Sequence, residues 1–220
     1  MGHGSLLPLG ILVVIAACNA VPEKKAEPAP ATPATNLQGW RSVADGRMGT
    51  DGIFYSDAGR FFVAFPGEPV HESKDVQAEV GKIRMEVFVH EESVTMAYMV
   101  AYSDYPTAFV DPIGWEKFLD RAVAGAIRSM GIESVEKSEA IMVNGFHGTS
   151  YRAKGKGPHL VSKMLLVKNR LYQITILSDG DYPTEAVATQ FLNSFHMVLP
   201  GQPLEDWWPE ELDSLSANLE

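Results

Sequence analysis

The chain has 220 residues, enough for one domain with appendages or at most two small domains, and its 45% hydrophobic and 21% charged content is globular. A formal net charge of -10 with no basic block or stripe argues against a nucleic-acid partner. One cysteine excludes an intramolecular disulfide, so an exported domain of this chain must be held together by its core.

The first element is an apolar run at residues 6–17, ending Ala16-Ala17-Cys18. A helical span of a bilayer core of roughly 30 Å needs about 20 apolar residues, and this run is shorter. It fits the apolar region of a signal peptide with a small-residue cleavage site. Ile15-Ala16-Ala17-Cys18 resembles the bacterial lipobox. That resemblance implies cleavage before Cys18, diacylglycerol on its thiol and a membrane anchor. Met1-Gly2-His3-Gly4-Ser5 departs from the usual pattern in carrying no Lys or Arg. The other reading is a buried free cysteine after an apolar helix. Residues 18–36 are rich in Ala and Pro with nothing periodic to bury, so they read as an extended tether of about 3.1 Å per residue. Residues 37–58 are transitional, with Trp40, Ile53 and Phe54 as contacts to a domain spanning 59–199.

Within that domain, Phe61 to Phe65 reads as a strand stopped by Pro66-Gly67-Glu68-Pro69. Residues 70–80 form a weaker strand. From Lys82 to His90, Ile83, Met85, Val87 and Val89 alternate with polar residues, the pattern of a half-buried strand. Residues 94–102 are apolar throughout and predict a strand covered on both faces. The period then becomes helical: Trp115, Phe118, Leu119, Ala122, Val123, Ala126, Ile127 and Met130 form one stripe over 112–130. Asp111 is the expected N-cap, Pro112 the first turn and Gly131 the stop. Strands follow at 133–142, 146–153, 159–168 and 171–178, then a helix at 184–195. The expectation is one α+β domain: a mostly antiparallel sheet of about six or seven strands with helices covering its faces.

The entry Gly59-x-Phe61-x-Val63-x-Phe65-Pro66-Gly67-x-Pro69 resembles that of PsbP-like α/β/α sandwich domains. Further matches are Tyr98-x-Val100-x-Tyr102-x-Asp104, Gly145-x-x-Gly148, Asn169-Arg170-Leu171-Tyr172 and Phe191-Leu192-x-Ser194-Phe195. The resemblance spans about residues 59–199, and it implies a scaffold or binding module that is not an enzyme.

The sequence carries no recognised catalytic, cofactor or metal-binding set. His71-Glu72 and His90-Glu91 lack the second histidine of a zincin helix. Asp179-Gly180-Asp181 lacks the glycine and bidentate glutamate of a calcium loop. No Gly-x-Ser-x-Gly elbow occurs. His147 and His159, with Asp179, read as ordinary strand residues, and Gly155-Lys156-Gly157 as a hairpin loop. Tyr98, Tyr102, Tyr105 and Trp115 are candidates to line a ligand or partner surface where strand hands over to helix, against core packing as the plainer reading. The acidic tail, residues 200–220, carries Trp207 and Trp208 ahead of Leu212, Leu215 and Leu219. It is expected to dock on its own domain in preference to a partner groove.

The function that emerges is a non-catalytic envelope lipoprotein: a tethered binding or assembly module for a periplasmic or surface partner. A small-ligand carrier, or a hydrolase with an unrecognised site, is the alternative. Asn19 after Cys18 gives no inner-membrane retention signal, which favours the outer membrane.

Overall fold

The computed structural model describes residues 46–49 and 52–198. Its centre is a seven-stranded, wholly antiparallel sheet. After the short strands β1 (Arg47–Met48), β2 (Phe54–Ser56) and β3 (Phe61–Val63), the chain lays down β4 (Val70–Ala78), β5 (Gly81–Ser93) and β6 (Met96–Asp104) as a meander. It leaves the sheet for α1 (Thr107–Ile113) and α2 (Trp115–Ser129). It returns as β7 (Ser134–Val143) on the far edge, and β8 (Phe146–Lys154), β9 (Pro158–Val167) and β10 (Arg170–Asp179) walk back until β10 pairs with β6. The order is β4-β5-β6-β10-β9-β8-β7. Then α3 (Glu185–Ser194) and β11 (His196–Met197) follow, and a second sheet of order β1-β2-β3-β11 forms.

Alternation along the strands sorts side chains into two cores. One lies under α2, where Phe118, Leu119, Ala122, Val123 and Ala126 meet Ile83, Met85, Val87, Leu160, Met164 and Leu166. The other lies on the opposite face, where Phe88, Tyr102, Leu165, Tyr172 and Ile174 meet Phe61, Val63, Phe191 and Phe195. The α+β class with a large antiparallel sheet is therefore as the sequence predicts. The second face differs from expectation, because α3 shares it with the small sheet. Phe61–Val63 belongs to that small sheet, and the stretch expected to be transitional already supplies β1 and β2.

The helix expected over 112–130 is two helices. Gly114 breaks it with φ 79° and ψ 153°, a conformation open essentially to glycine. Asp111 consequently lies inside α1 and Gly114 takes the N-cap of α2. Gly131, at φ 64°, ends α2 as its position predicts. Val94, expected in a strand, is 79% exposed in the turn between β5 and β6. Thr184 caps α3 by accepting a hydrogen bond from Val187 N at 3.3 Å. Asn144-Gly145, with φ 50° and 80°, makes the tight β7–β8 hairpin.

Candidate functional site

The aromatic residues singled out by the sequence do not gather. Tyr98 and Tyr102 sit four apart on β6 and so share the face toward the small sheet and α3. Tyr105, past the end of the strand, and Trp115 pack on the α2 side. The sheet itself separates the two pairs. Burial pushes the Tyr98 phenol up to about 12, with Glu92 adding to the shift, and its hydroxyl donates to Glu92 Oε2 at 3.2 Å. Tyr102 packs among Phe61, Phe88 and Tyr172. Tyr105 meets Phe118 edge-on at 4.8 Å, and Trp115 lies flat on His147 at 3.9 Å between ring centroids. The four residues pack in and beside the two cores, on opposite faces of the sheet. Cys18, Trp207 and Trp208 lie outside the described residues.

His71, His147 and His159 lie apart. His71 holds Glu86 at 2.9 Å and stacks on Phe88 at 4.5 Å. Ser73 also donates to Glu86, at 2.9 Å, so the carboxylate lies between histidine and serine. His147 and His159 stand at opposite ends of β8 and β9. His159 contacts the Gly157 carbonyl and the edge of Tyr182. Among the described residues no group of three or more His, Cys, Asp or Glu could hold a metal ion.

Under α2 the sheet carries a buried polar row that crosses neighbouring strands in register: Tyr151 on β8, Ser162 on β9 and Thr175 on β10. Ser162 and Thr175 share a hydrogen bond of 2.8 Å, and Ser162 also donates to the Ile174 carbonyl. Tyr151 Oη and Gln173 Nε2 are buried without a partner of full hydrogen-bond geometry. Burial drives the Tyr151 phenol well above its ordinary value, with the nearby Ser162 hydroxyl opposing.

The open surface lies on the other face. There α3 packs chiefly on β3, β9 and β10 and stops short of the edge strand β7. The strip of sheet that it leaves beside it opens a groove of about 280 Å³ at one end. Lys137 and Glu139 on β7, Ser150 and Arg152 on β8, and Lys163 on β9 line it, with Glu185 and Asn193 on the helix wall. Arg152 pairs with Glu185, and Lys137 with Glu139 at 2.9 Å. Lys163 is different. Its ammonium donates to the Leu192 carbonyl and Asn193 Oδ1, both at 2.9 Å, where carbonyls at the C-terminal end of α3 favour a cation. Burial lowers its pKa, and among the described residues no carboxylate pairs with it. Farther along the same face the strip turns apolar, through Ile141, Val143, Phe146 and Val167, all partly buried. Gly148 keeps the floor flat between the two zones, since a Cβ there would lie 2.4 Å from the Met164 carbonyl oxygen.

Sequence reasoning missed this groove. The signal available was Lys163, a lysine inside the mostly apolar run from Leu160 to Val167. What the periodicity of β7 and β8 could not supply was the place where α3 ends.

No family model matches the sequence, and no curated protein matches it. Among solved structures, the chain is similar to the solution structure of cyanobacterial PsbP (CyanoP) from Synechocystis sp. PCC 6803. The identity is 14% and the TM-score 0.44, over 76% of this chain and 99% of that one. It is also similar to a protein from Bacteroides thetaiotaomicron VPI-5482, at 9% identity and a TM-score of 0.35. That match covers 69% of this chain and 50% of the other, so the chain spans half of that protein's length. The α+β class stands on the strand order and the two packed faces themselves.

Proposed function

We propose that this chain is a non-catalytic envelope lipoprotein, held to a membrane through Cys18, whose domain binds a protein partner along the β7–β8 face beside α3. The observation that carries the reading is the uneven cover of the sheet. Its tyrosines are used in filled cores, whereas the β7–β8 strip is left half open, apolar at one end and charged at the other. The occupant that fits is a segment with apolar side chains toward Ile141, Val143 and Phe146 and an acidic side chain toward Lys163. Such a carboxylate would supply the counter-charge that the partly buried ammonium lacks. The use of His71, Ser73 and Glu86 in a structural cluster supports a non-enzymatic role.

A photo-reactive residue placed at the exposed Glu139, in the full chain expressed in its native envelope, tests this. Illumination should give an intermolecular adduct from position 139 and none from Val94 in the distant turn. Adducts from both positions, or from neither, would remove the support for a specific surface.

A further inference from the structure

The two edges of the seven-stranded sheet differ in build. β7 carries a bulge between Val135 and Lys137, a device by which natural sheets turn an edge away from pairing. β4 carries none: its nine residues stay in register with β5 from Val70 to Ala78, and no proline interrupts them. Among the described residues no strand bonds to its outer side. The described helices lie farther in, α2 packing chiefly on β8 and β9 and α3 on β3, β9 and β10. A straight edge of this kind presents backbone N–H and C=O groups outward, a template for another strand. On the face that buries Val76, Val70 stands 54% exposed.

We propose that a second copy of this chain pairs with β4, strand against antiparallel strand, about a twofold axis through Ser73. The segment Val70-His71-Glu72-Ser73-Lys74-Asp75-Val76 complements itself when reversed. Centred on Ser73, the pair sets Glu72 of each copy opposite Lys74 of the other, on one face of the joined sheet. Within each copy Glu72 and Lys74 already pair at 2.9 Å, so the two pairs close into one group of four alternating charges. Val70 of each copy meets Val76 of the other and loses its exposure. Asp75 falls opposite His71, whose ring stays on Glu86, so no like charges face each other. Moving the axis by one residue sets Glu72 against Glu72, or Lys74 against Lys74. Like charges directly opposite destabilise a pair, which selects the Ser73 register. A twofold pairing uses the edge of both copies at once, so it closes at a dimer.

β4 and β7 are opposite edges of the sheet, so this dimer stands or falls apart from the β7–β8 reading. The test compares Ser73→Cys with Gln77→Cys, each in the full chain in its native envelope, under a short thiol-reactive cross-linker. Across the axis two copies of position 73 lie about 5 Å apart. Two copies of position 77 are offset by about eight residues, roughly 27 Å at about 3.4 Å each. Ser73→Cys should therefore give a linked dimer and Gln77→Cys none, both against the same Cys18 background. Equal linking at the two positions, or linking at neither, would overturn the pairing. Adding Glu72→Lys to Ser73→Cys should cut the linked dimer at least about fivefold, and adding Lys74→Glu as well should restore it. Linking indifferent to these charges would overturn it too. Should Ser73→Cys fail to fold, a photo-reactive residue at the exposed Val70 replaces it. Its adduct should fall within residues 74–78 of a second copy, and an adduct to another protein or confined to one chain would overturn the dimer equally.

Discussion

Arg170 grips Asp104 across the β10–β6 register with two bonds, Nε to Oδ1 at 2.6 Å and Nη2 to Oδ2 at 2.7 Å. Its guanidinium also lies over the Tyr102 ring at 4.6 Å and donates to the Ala58 carbonyl at 2.7 Å. Tyr172, one strand position further on the same face, donates to the Gly59 carbonyl at 2.7 Å. The Tyr-x-Val-x-Tyr-x-Asp and Asn-Arg-Leu-Tyr segments thus meet, and together they clamp the turn between β2 and β3 to the main sheet. The Asp104 carboxylate, through two charge-assisted bonds, raises the Arg170 pKa further above its ordinary value against the effect of burial.

Arg170→Ala should therefore destabilise the protein by about 1–3 kcal/mol, through loss of the fork, the ring contact and the bond to Ala58. Asp104→Asn should cost less, about 0.5–1 kcal/mol, because that carboxylate is half exposed. Urea unfolding of both variants measures this. Equal losses would show that the ion pair, and not the turn clamp, dominates.

Two glycines should resist substitution for different reasons. Gly114→Ala forces a β-carbon into the region at φ 79° and ψ 153°, at a cost of order 1–3 kcal/mol. Gly148→Ala has no such backbone strain but meets the Met164 carbonyl at 2.4 Å, which must shift β8 from β9, for about 1–3 kcal/mol. Thermal melts of the two single variants should both fall. Gly52→Ala, also at positive φ and with nothing within 4 Å, supplies the comparison for strain without packing.

The strands and the start of α3 were legible because each rests on local chemistry. Alternation through Ile83, Met85, Val87 and Val89 places all four under α2, and Thr184 and the Asn144-Gly145 turn act through their own side chains and backbone. The break at Gly114 was hidden because the apolar spacing on either side keeps helical period. The small sheet was hidden because its strands hold two or three residues, too few to show alternation. Tyr98 and Tyr102 could have been parted from Tyr105 by counting positions along β6. The groove could not have been found that way, since it exists only where α3, distant in sequence, stops short of β7.

Stability at acid pH should pass through Glu86. Burial by itself raises its pKa, but hydrogen bonds from Ser73, Arg84 and His71 outweigh that and hold the carboxyl below its ordinary range. A folded-state pKa below the unfolded value, about 4.3, means the contribution is complete above that value and lost as pH falls through the lower one. Glu86→Gln should cost about 1–2 kcal/mol near neutrality. The difference from wild type should shrink as pH falls below the unfolded value and through the lowered folded-state one. A gap that stays constant with pH would show the loss to be one of packing.

The anchor has a direct chemical readout. Cys18→Ser should leave a longer precursor that takes up no labelled fatty acid, whereas the wild-type chain incorporates label and is shortened. Each buried CH₂ of an acyl chain adds about 0.8 kcal/mol to membrane attachment, a contribution that the variant, without acyl chains, does not gain. Equal labelling of both chains would overturn the anchor.

The claim that the β7–β8 face is where this domain binds is tested most directly by hydrogen exchange on the native protein in envelope fragments, compared with the purified full chain. Amides of β7 and β8 should slow by about tenfold or more in the envelope, while those of the opposite edge strand β4 keep their rates. Slowing confined to β4, or identical rates along β7 in the two preparations, would contradict it.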